Sequence, residues 1–281
     1  MSCYNSGLII DSEKFSKVSN KLRTFLLNKN FIEVHTQNRL SILAACEDPF
    51  NVKTFAYTGK VWPLVQTGQM WLEYEILKKP DVPGYFCLST SYRMEPNPVP
   101  GRHDLIFPMF EFEFKGDVDE LIELQKEMLV YLGYNPDNFY ENDYKKIAEE
   151  FETVELEHEH ETRLYDEKSP VAFIKNFPEF THPFWNMKRN EGDDTSKKVD
   201  VILSGMETFG SAERECDKDV MRDRFNNIMG GKYKDKLIEL FGEDRTMAEL
   251  NEYLDLNFIK RSGCGIGLTR LIKSMERENL I

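Results

Sequence analysis

Apolar residues at Phe15, Val18, Leu22, Phe25 and Leu26 recur near the helical period, so a helix capped by Asp11 and ending near Asn30 is expected. Residues 31–36 then alternate like a strand. Helices are also expected over 68–79 and 117–132. Residues 86–114 read as strand, rigid loop, strand, because Pro96, Pro98, Pro100 and Gly101 interrupt two apolar runs. The aromatic stretch 173–187 reads as a core strand or a substrate-pocket wall, with core the better reading. An apolar strand opens the segment 200–215. Two or three amphipathic helices follow over 217–229, 233–241 and 246–254. Residues 263–275 read as a glycine-permitted turn entering a helix, with Leu271, Ile272 and Met275 on its apolar side.

Composition fits one enzyme core. A chain of 281 residues, 41% hydrophobic and 12% aromatic, can bury one large core or two small ones. The simplest organisation is one domain over 1–281 with an acidic helical insertion or flap at about 134–168, where Glu149, Glu150, Glu152, Glu155, Glu157, Glu159 and Glu161 concentrate. His158 and His160 in that run read as surface chemistry among glutamates, not as a metal site. Five scattered cysteines, Cys3, Cys46, Cys87, Cys216 and Cys264, argue for reduced thiols in the cytoplasm. No apolar run approaches the roughly 18 residues of a membrane span.

Candidate chemistry gathers at charged residues beside the stiff loop. Arg93, Glu95, Arg102 and His103 flank it and are held at fixed separations. Arginine offers a planar donor fork suited to phosphate oxygens, and its flat face stacks on rings. Asp200 and Glu207 are carboxylates of the kind that hard cations such as Mg²⁺ require. Their odd separation puts them on opposite faces of one straight strand, so shared ligation needs a bend or bulge near Ser204 and Gly205. Taken alone, these residues also fit an exposed hairpin pair, a tight turn and ordinary strand-edge charges.

Taken together, Arg93-x-Glu95, the loop, Arg102-His103, Phe107 and the later Gly265-x-Gly267-x-x-Arg270 resemble the second and third signature motifs of class II aminoacyl-tRNA synthetases. The resemblance implies an α+β fold with an antiparallel sheet flanked by helices. It also implies that Arg93 binds the ATP α-phosphate, that Phe107 and Arg270 sandwich the adenine, and that Arg102 and His103 reach the outer phosphates. Asp200, Glu207 and Arg214, spaced by seven and seven, are similar to the aspartyl and asparaginyl branch. There the pair holds Mg²⁺ and the arginine binds the polar end of the amino acid. Within 66–73, Gln69 belongs to the amino-acid site, Leu72 stands where aspartate-specific members carry lysine, and Glu73 matches the asparagine-specific glutamate. Cys46-Glu47 also resembles the asparaginyl pattern. Two departures stand out: Gln37 replaces the proline of the first, dimer-forming motif, and Ile106 replaces a glutamate before Phe107. A homodimer is expected.

The resemblance implies amino-acid activation, in which a carboxylate attacks the ATP α-phosphorus to give an acyl-adenylate and pyrophosphate. Arg93 and Arg270 are the candidate catalytic residues. Only about 30 residues precede the first-motif strand, leaving no room for the branch's anticodon-binding barrel. The net charge of −13 gives no obvious RNA surface. The expected reaction is therefore tRNA-independent, AMP-forming synthesis of asparagine from aspartate and ammonia. The alternatives are asparagine activation for tRNA or another acceptor, and a non-catalytic regulatory paralogue.

Overall fold

The computed structural model describes residues 10–36, 39–44 and 47–281. Gln37 and Cys46 lie outside them. Helix α1 (Ser12–Asn28) begins as expected, with the Asp11 carboxylate accepting from the Glu13 and Lys14 backbone N–H groups. Of the alternating segment after it only β1 (Ile32–Glu33) enters a ladder, parallel to β4 (Gly84–Tyr92). A small exposed hairpin, β2 (Thr54–Tyr57) and β3 (Lys60–Pro63), and helix α2 (Gln69–Lys78) come between these strands.

The main sheet has eight strands in the order β1-β4-β5-β10-β9-β8-β7-β6. Its remaining members are β5 (Ile106–Phe114), β6 (Phe139–Asp143), β7 (Val171–Pro178), β8 (Thr195–Leu203), β9 (Met206–Glu213) and β10 (Ser262–Gly267). The interior pairings are antiparallel and both edge pairings are parallel. Residues 134–168, expected as a helical insertion, contain α4 (Tyr144–Glu150) and α5 (His158–Glu167) and also supply the edge strand β6.

Strand β5 sets the two faces. Its run Met109-Phe110-Glu111-Phe112-Glu113-Phe114 has period two, so phenylalanines and glutamates part to opposite sides. Phe110, Phe112 and Phe114 enter a core with Leu22 and Leu26 of α1, Leu121 and Met128 of α3 (Val118–Leu132), and Leu271 and Met275 of α9 (Leu268–Arg277). On the other side a second core forms around Trp185 and Tyr253, built by α2, α6 (Lys218–Asn227), α7 (Lys232–Phe241) and α8 (Glu243–Leu254). Glu111 and Glu113 are buried on that glutamate-bearing side.

The glycine-rich segment departs from expectation. Gly263, Gly265 and Gly267 lie in β10, a central strand hydrogen-bonded to both β5 and β9, and not in a turn. At Gly263 close approach across the sheet demands glycine, and the demand weakens along the strand. A Cβ on Gly263 would lie 1.6 Å from Glu113 Oε2, and one on Gly265 2.8 Å from Met109 Cε, whereas at Gly267 nothing comes nearer than 3.9 Å.

Gly263→Ala should therefore disrupt the carboxylate it meets and lower stability by about 3 kcal/mol or more, the cost of breaking a buried ion pair. Gly267→Ala should stay within about 1 kcal/mol of wild type. Equal guanidinium unfolding midpoints for the two variants would contradict this account of the glycines.

Candidate active site

A cavity of about 360 Å³ opens over the glutamate-bearing face, walled by residues of α2, the loop between β4 and β5, β5, β8, β9, β10 and α9. It brings together Gln69, Arg93, Glu95, Arg102, His103, Phe107, Glu207, Arg214 and Arg270. Asp200 sits just behind the wall, beside Glu207, and Glu73 behind Gln69.

At one end the loop between β4 and β5 is stapled locally. Arg102 and His103 donate their N–H groups to Val99 O, while His103 Nδ1 accepts from Val99 N at 3.2 Å. Burial, with the Arg270 and Arg102 guanidiniums nearby, pushes the His103 pKa down, so its ring is neutral near neutral pH. Arg93 reaches Glu47 at 2.5 Å and lies 5.9 Å from the centre of the Phe107 ring. Asn51 Nδ2 donates to Glu95 at 3.3 Å.

Arg270 is fixed by backbone. Its Nε and Nη2 donate to Arg102 O at 3.2 and 3.0 Å, and its Nη1 donates to Glu207 O at 2.5 Å. Glu161 of α5 closes the ring, because its Oε2 accepts from Arg102 Nη2 at 2.5 Å and from Glu207 N–H at 2.7 Å. Arg102 Nη1 donates to Gly205 O at 3.0 Å. The acidic segment thus reaches the cavity, and Arg102, expected to serve outer phosphates, is held by a carboxylate.

The parity problem at Asp200 and Glu207 is solved by a hairpin and a bulge. Ser204 and Gly205 turn the chain with φ of 49° and 82°. On β8 and β9, Val201 pairs with Phe209 but Ile202 pairs with Glu207, so Thr208 is the extra residue. One inserted residue returns Glu207 to the face that carries Asp200 and Gly210. Lys198, two residues before Asp200 on the same face, sets its Nζ 2.6 Å from Asp200 Oδ2. Burial pushes the Asp200 carboxyl up, against the pull of Lys198.

The residues present fit a divalent cation. Asp200 Oδ1 is buried without a hydrogen-bond partner among the described residues, and Gly210 leaves the space before it open. A Cβ on Gly210 would lie 3.4 Å from Glu207 Oε1 and 3.8 Å from Asp200 Oδ1. Among the described residues no cluster of three or more His, Cys, Asp or Glu forms a metal cage. A pair completed by phosphate oxygens suits Mg²⁺ better than a cage.

At the other end lies a buried ion-pair network. Arg214 Nε and Nη2 donate to Glu113 at 3.0 and 3.2 Å, leaving Nη1 without a partner among the described residues and the guanidinium on the cavity wall. Glu73 Oε1 accepts from Gln69 and Asn186, both at 2.9 Å, and stands 3.8 Å from Arg214 Nε. Its Oε2 accepts from Tyr253 Oη and Arg261 Nη2, both at 2.6 Å. Burial alone would raise the Glu73 pKa, but Arg261 and Arg214 outweigh it and hold the carboxyl at about 2. Burial pushes Glu113 up to about 7 against the pull of Arg214. Nearby, Glu111 accepts from Gly68 N–H and Ser89 Oγ, tying the start of α2, and so Gln69, to the sheet.

Sequence reasoning missed Glu113, Glu161, Lys198 and Arg261. The glutamates alternating with phenylalanines in β5 and the same-face spacing of Lys198 and Asp200 were available signals. Arg261 and Glu161 carry no local signal, because their partners are distant in sequence.

A central antiparallel sheet with helices on both faces, bearing an arginine-rich cavity, is the architecture of a class II synthetase core. A family model described as class II tRNA synthetases (D, K and N) matches residues 11–281, and the chain belongs to that family. It is 22% identical over 247 residues to the cytoplasmic aspartate–tRNA ligase of Mus musculus, covering 74% of this chain and 48% of that protein. The chain thus spans about half the length of this curated relative. In fold it is similar to asparaginyl-tRNA synthetase from Pyrococcus horikoshii complexed with asparaginyl-adenylate, with a TM-score of 0.76 at 20% identity over 94% of this chain and 65% of that one. The Entamoeba histolytica asparaginyl-tRNA synthetase in complex with asparaginyl-adenylate gives a TM-score of 0.76 at 16% identity, over 95% and 64% of the two chains. A putative aspartyl-tRNA synthetase from Leishmania major Friedlin gives 0.73 at 16%, over 93% and 61%. No helix among the described residues is long and apolar enough to cross a membrane.

Burial and the adjacent Glu207 push Glu161 up to about 7 from the ordinary 4.5, against the pull of Arg102. A carboxyl raised in this way stabilises the fold fully only below its ordinary pKa, and that contribution is lost as pH rises through about 7. Glu161→Gln keeps an acceptor for Arg102 and Glu207 N–H but cannot ionise. Wild type should therefore lose melting temperature relative to Glu161→Gln between pH of about 5 and about 8. A difference between the two proteins that does not vary with pH would contradict this.

Proposed function

We propose that this chain is an ATP-dependent, AMP-forming ligase that activates aspartate or asparagine as an acyl-adenylate. The observation that carries this reading is the convergence of Arg93, Phe107, Glu207, Arg214 and Arg270 on one cavity, with Asp200 directly behind its wall at Gly210. The asparaginyl-adenylate complexes of proteins similar in fold agree with it. In this reading Arg93 meets the α-phosphate, Phe107 and Arg270 take the two faces of the adenine, and Glu95, Arg102 and His103 complete the nucleotide site. Arg102 changes partner from Glu161 to phosphate. Asp200 and Glu207 would hold Mg²⁺, which would supply positive charge to the phosphate oxygens.

The attacking group is already a carboxylate anion, so no general base is needed. What the protein contributes is alignment and compensation of the charge that grows on the α-phosphate oxygens. Arg93, paired with Glu47 and beside Phe107, is preorganised for that task.

At the amino-acid end, Gln69 and the free Nη1 of Arg214 are the direct contacts, and Glu73 acts through them from behind. Leu72 is buried and offers no cation for a side-chain carboxylate. We assign the substrate as aspartate bound with its α-carboxylate on Arg214 and its β-carboxylate towards ATP, and the acceptor as ammonia. The chain's acidic balance, 49 acidic against 36 basic residues, opposes docking of a phosphate backbone. The alternative, asparagine activated at its α-carboxylate and passed to tRNA or another acceptor, uses the same Arg214 and draws on the asparaginyl relatives. Exposed Leu27 and Ile32 on α1 and β1 support a homodimer through that face.

Purified protein given aspartate, ammonia and Mg-ATP should yield asparagine, AMP and pyrophosphate, and Arg93→Ala should lower the rate about 100-fold or more. Asparagine-dependent ATP–pyrophosphate exchange with aspartate inactive would transfer support to the alternative. No nucleotide turnover with either amino acid would remove the enzymatic reading.

A further inference from the structure

Lys198 has no place in the chemistry described so far, yet it lines the cavity and its ammonium is ion-paired with one of the two carboxylates assigned to the metal. Its Nζ lies 2.6 Å from Asp200 Oδ2 and 3.9 Å from the centre of the Phe177 ring, so both its head and its approach are fixed. Asp200 is 4% exposed, which leaves it little solvent to turn to. Its other oxygen, Oδ1, is the unpartnered one that faces the gap over Gly210 towards Glu207.

We propose that Lys198 is a built-in counterion that competes with the divalent cation for Asp200 and so makes metal binding depend on nucleotide. The inference rests on the reading of Asp200 and Glu207 as the metal pair. The chemistry is electrostatic. An ammonium beside the pair cancels one of its two charges and repels a dication in surroundings that screen poorly. Without nucleotide the pair is a weak metal site. Nucleotide brings phosphate oxygens to the cavity, and a lysine is a point charge well suited to them. Once Lys198 turns to phosphate, both Asp200 oxygens are released, and metal and phosphate complete each other's coordination. Metal and nucleotide are then coupled, and by linkage each tightens the other.

Mn²⁺ binding to the purified chain, followed by the EPR signal of free Mn²⁺ with and without a non-hydrolysable ATP analogue, tests this. Lys198→Met keeps a long unbranched side chain beside Phe177 and removes the charge. It should bind Mn²⁺ about tenfold more tightly than wild type without nucleotide, and the tightening by the analogue should shrink by about the same factor. Lys198→Arg should behave as wild type. Lys198→Gln serves as a second neutral variant, and melting curves identify any variant that has not folded. Two failures are distinguishable. If Asp200→Asn leaves Mn²⁺ binding with the analogue unchanged, the metal pair itself is misassigned and the inference falls with it. If Asp200→Asn abolishes that binding while the neutral variants match wild type in both conditions, the metal pair stands and the role of Lys198 is overturned.

Discussion

The pairing of Arg214 with Glu113 beneath the β10 backbone is the interaction on which the site depends. Two charged groups, each almost wholly out of water, face each other in bidentate geometry across the centre of the sheet. Taking such ions out of water costs several kcal/mol per ion, which good geometry and further hydrogen bonds must offset. A second pair, Glu73 with Arg261, lies alongside, and Tyr253, Asn186 and Gln69 occupy the remaining acceptor positions. Substitution by apolar residues of similar volume would cost the fold less. The network is therefore better understood as a device that fixes one guanidinium edge, Nη1 of Arg214, in the cavity wall. Gly263 is the geometric condition for it, since any side chain there would stand on the Glu113 carboxylate.

The same logic organises the nucleotide end by different means. There the cations are held chiefly by backbone oxygens and by carboxylates from other elements. Arg270 is held through Arg102 O and Glu207 O, and Arg102 through Glu161 and Gly205 O. The loop between β4 and β5, helix α5, strand β9 and helix α9 are thereby tied into one ring before any ligand arrives. Preorganisation of this kind spares the reaction the cost of orienting charges during the chemical step.

Much of this was legible in the sequence, for identifiable reasons. The charged residues of the signature segments lie close together along the chain, so their grouping survives without a structure. Helices α1 and α3 carry clean period and caps, Asp11 for α1 and the Asp117–Glu120 capping box for α3. The glycine segment was misread as a turn because a glycine demanded by close packing looks the same in sequence as one demanded by a positive φ. Shared use of Asp200 and Glu207 was expected to need a bend or bulge near Ser204 and Gly205; the chain turns there, while the bulge itself falls at Thr208, a position with no sequence signature of its own. Glu73, expected among the amino-acid contacts, is fully buried and hydrogen-bonded to Gln69, which lines the cavity. The reason is Arg261, 188 positions away along the chain, which claims the carboxylate. Long-range partners are what a single sequence conceals, and at this site they decide which charges are free.

A crystal structure of the protein with aspartate and a non-hydrolysable ATP analogue tests the central claim most directly. The account predicts the adenine between Phe107 and Arg270, the amino-acid α-carboxylate on Arg214 Nη1, and the β-carboxylate pointing at the α-phosphorus beside Arg93. An amino acid bound away from Arg214, or a nucleotide whose α-phosphate does not meet Arg93, would contradict it.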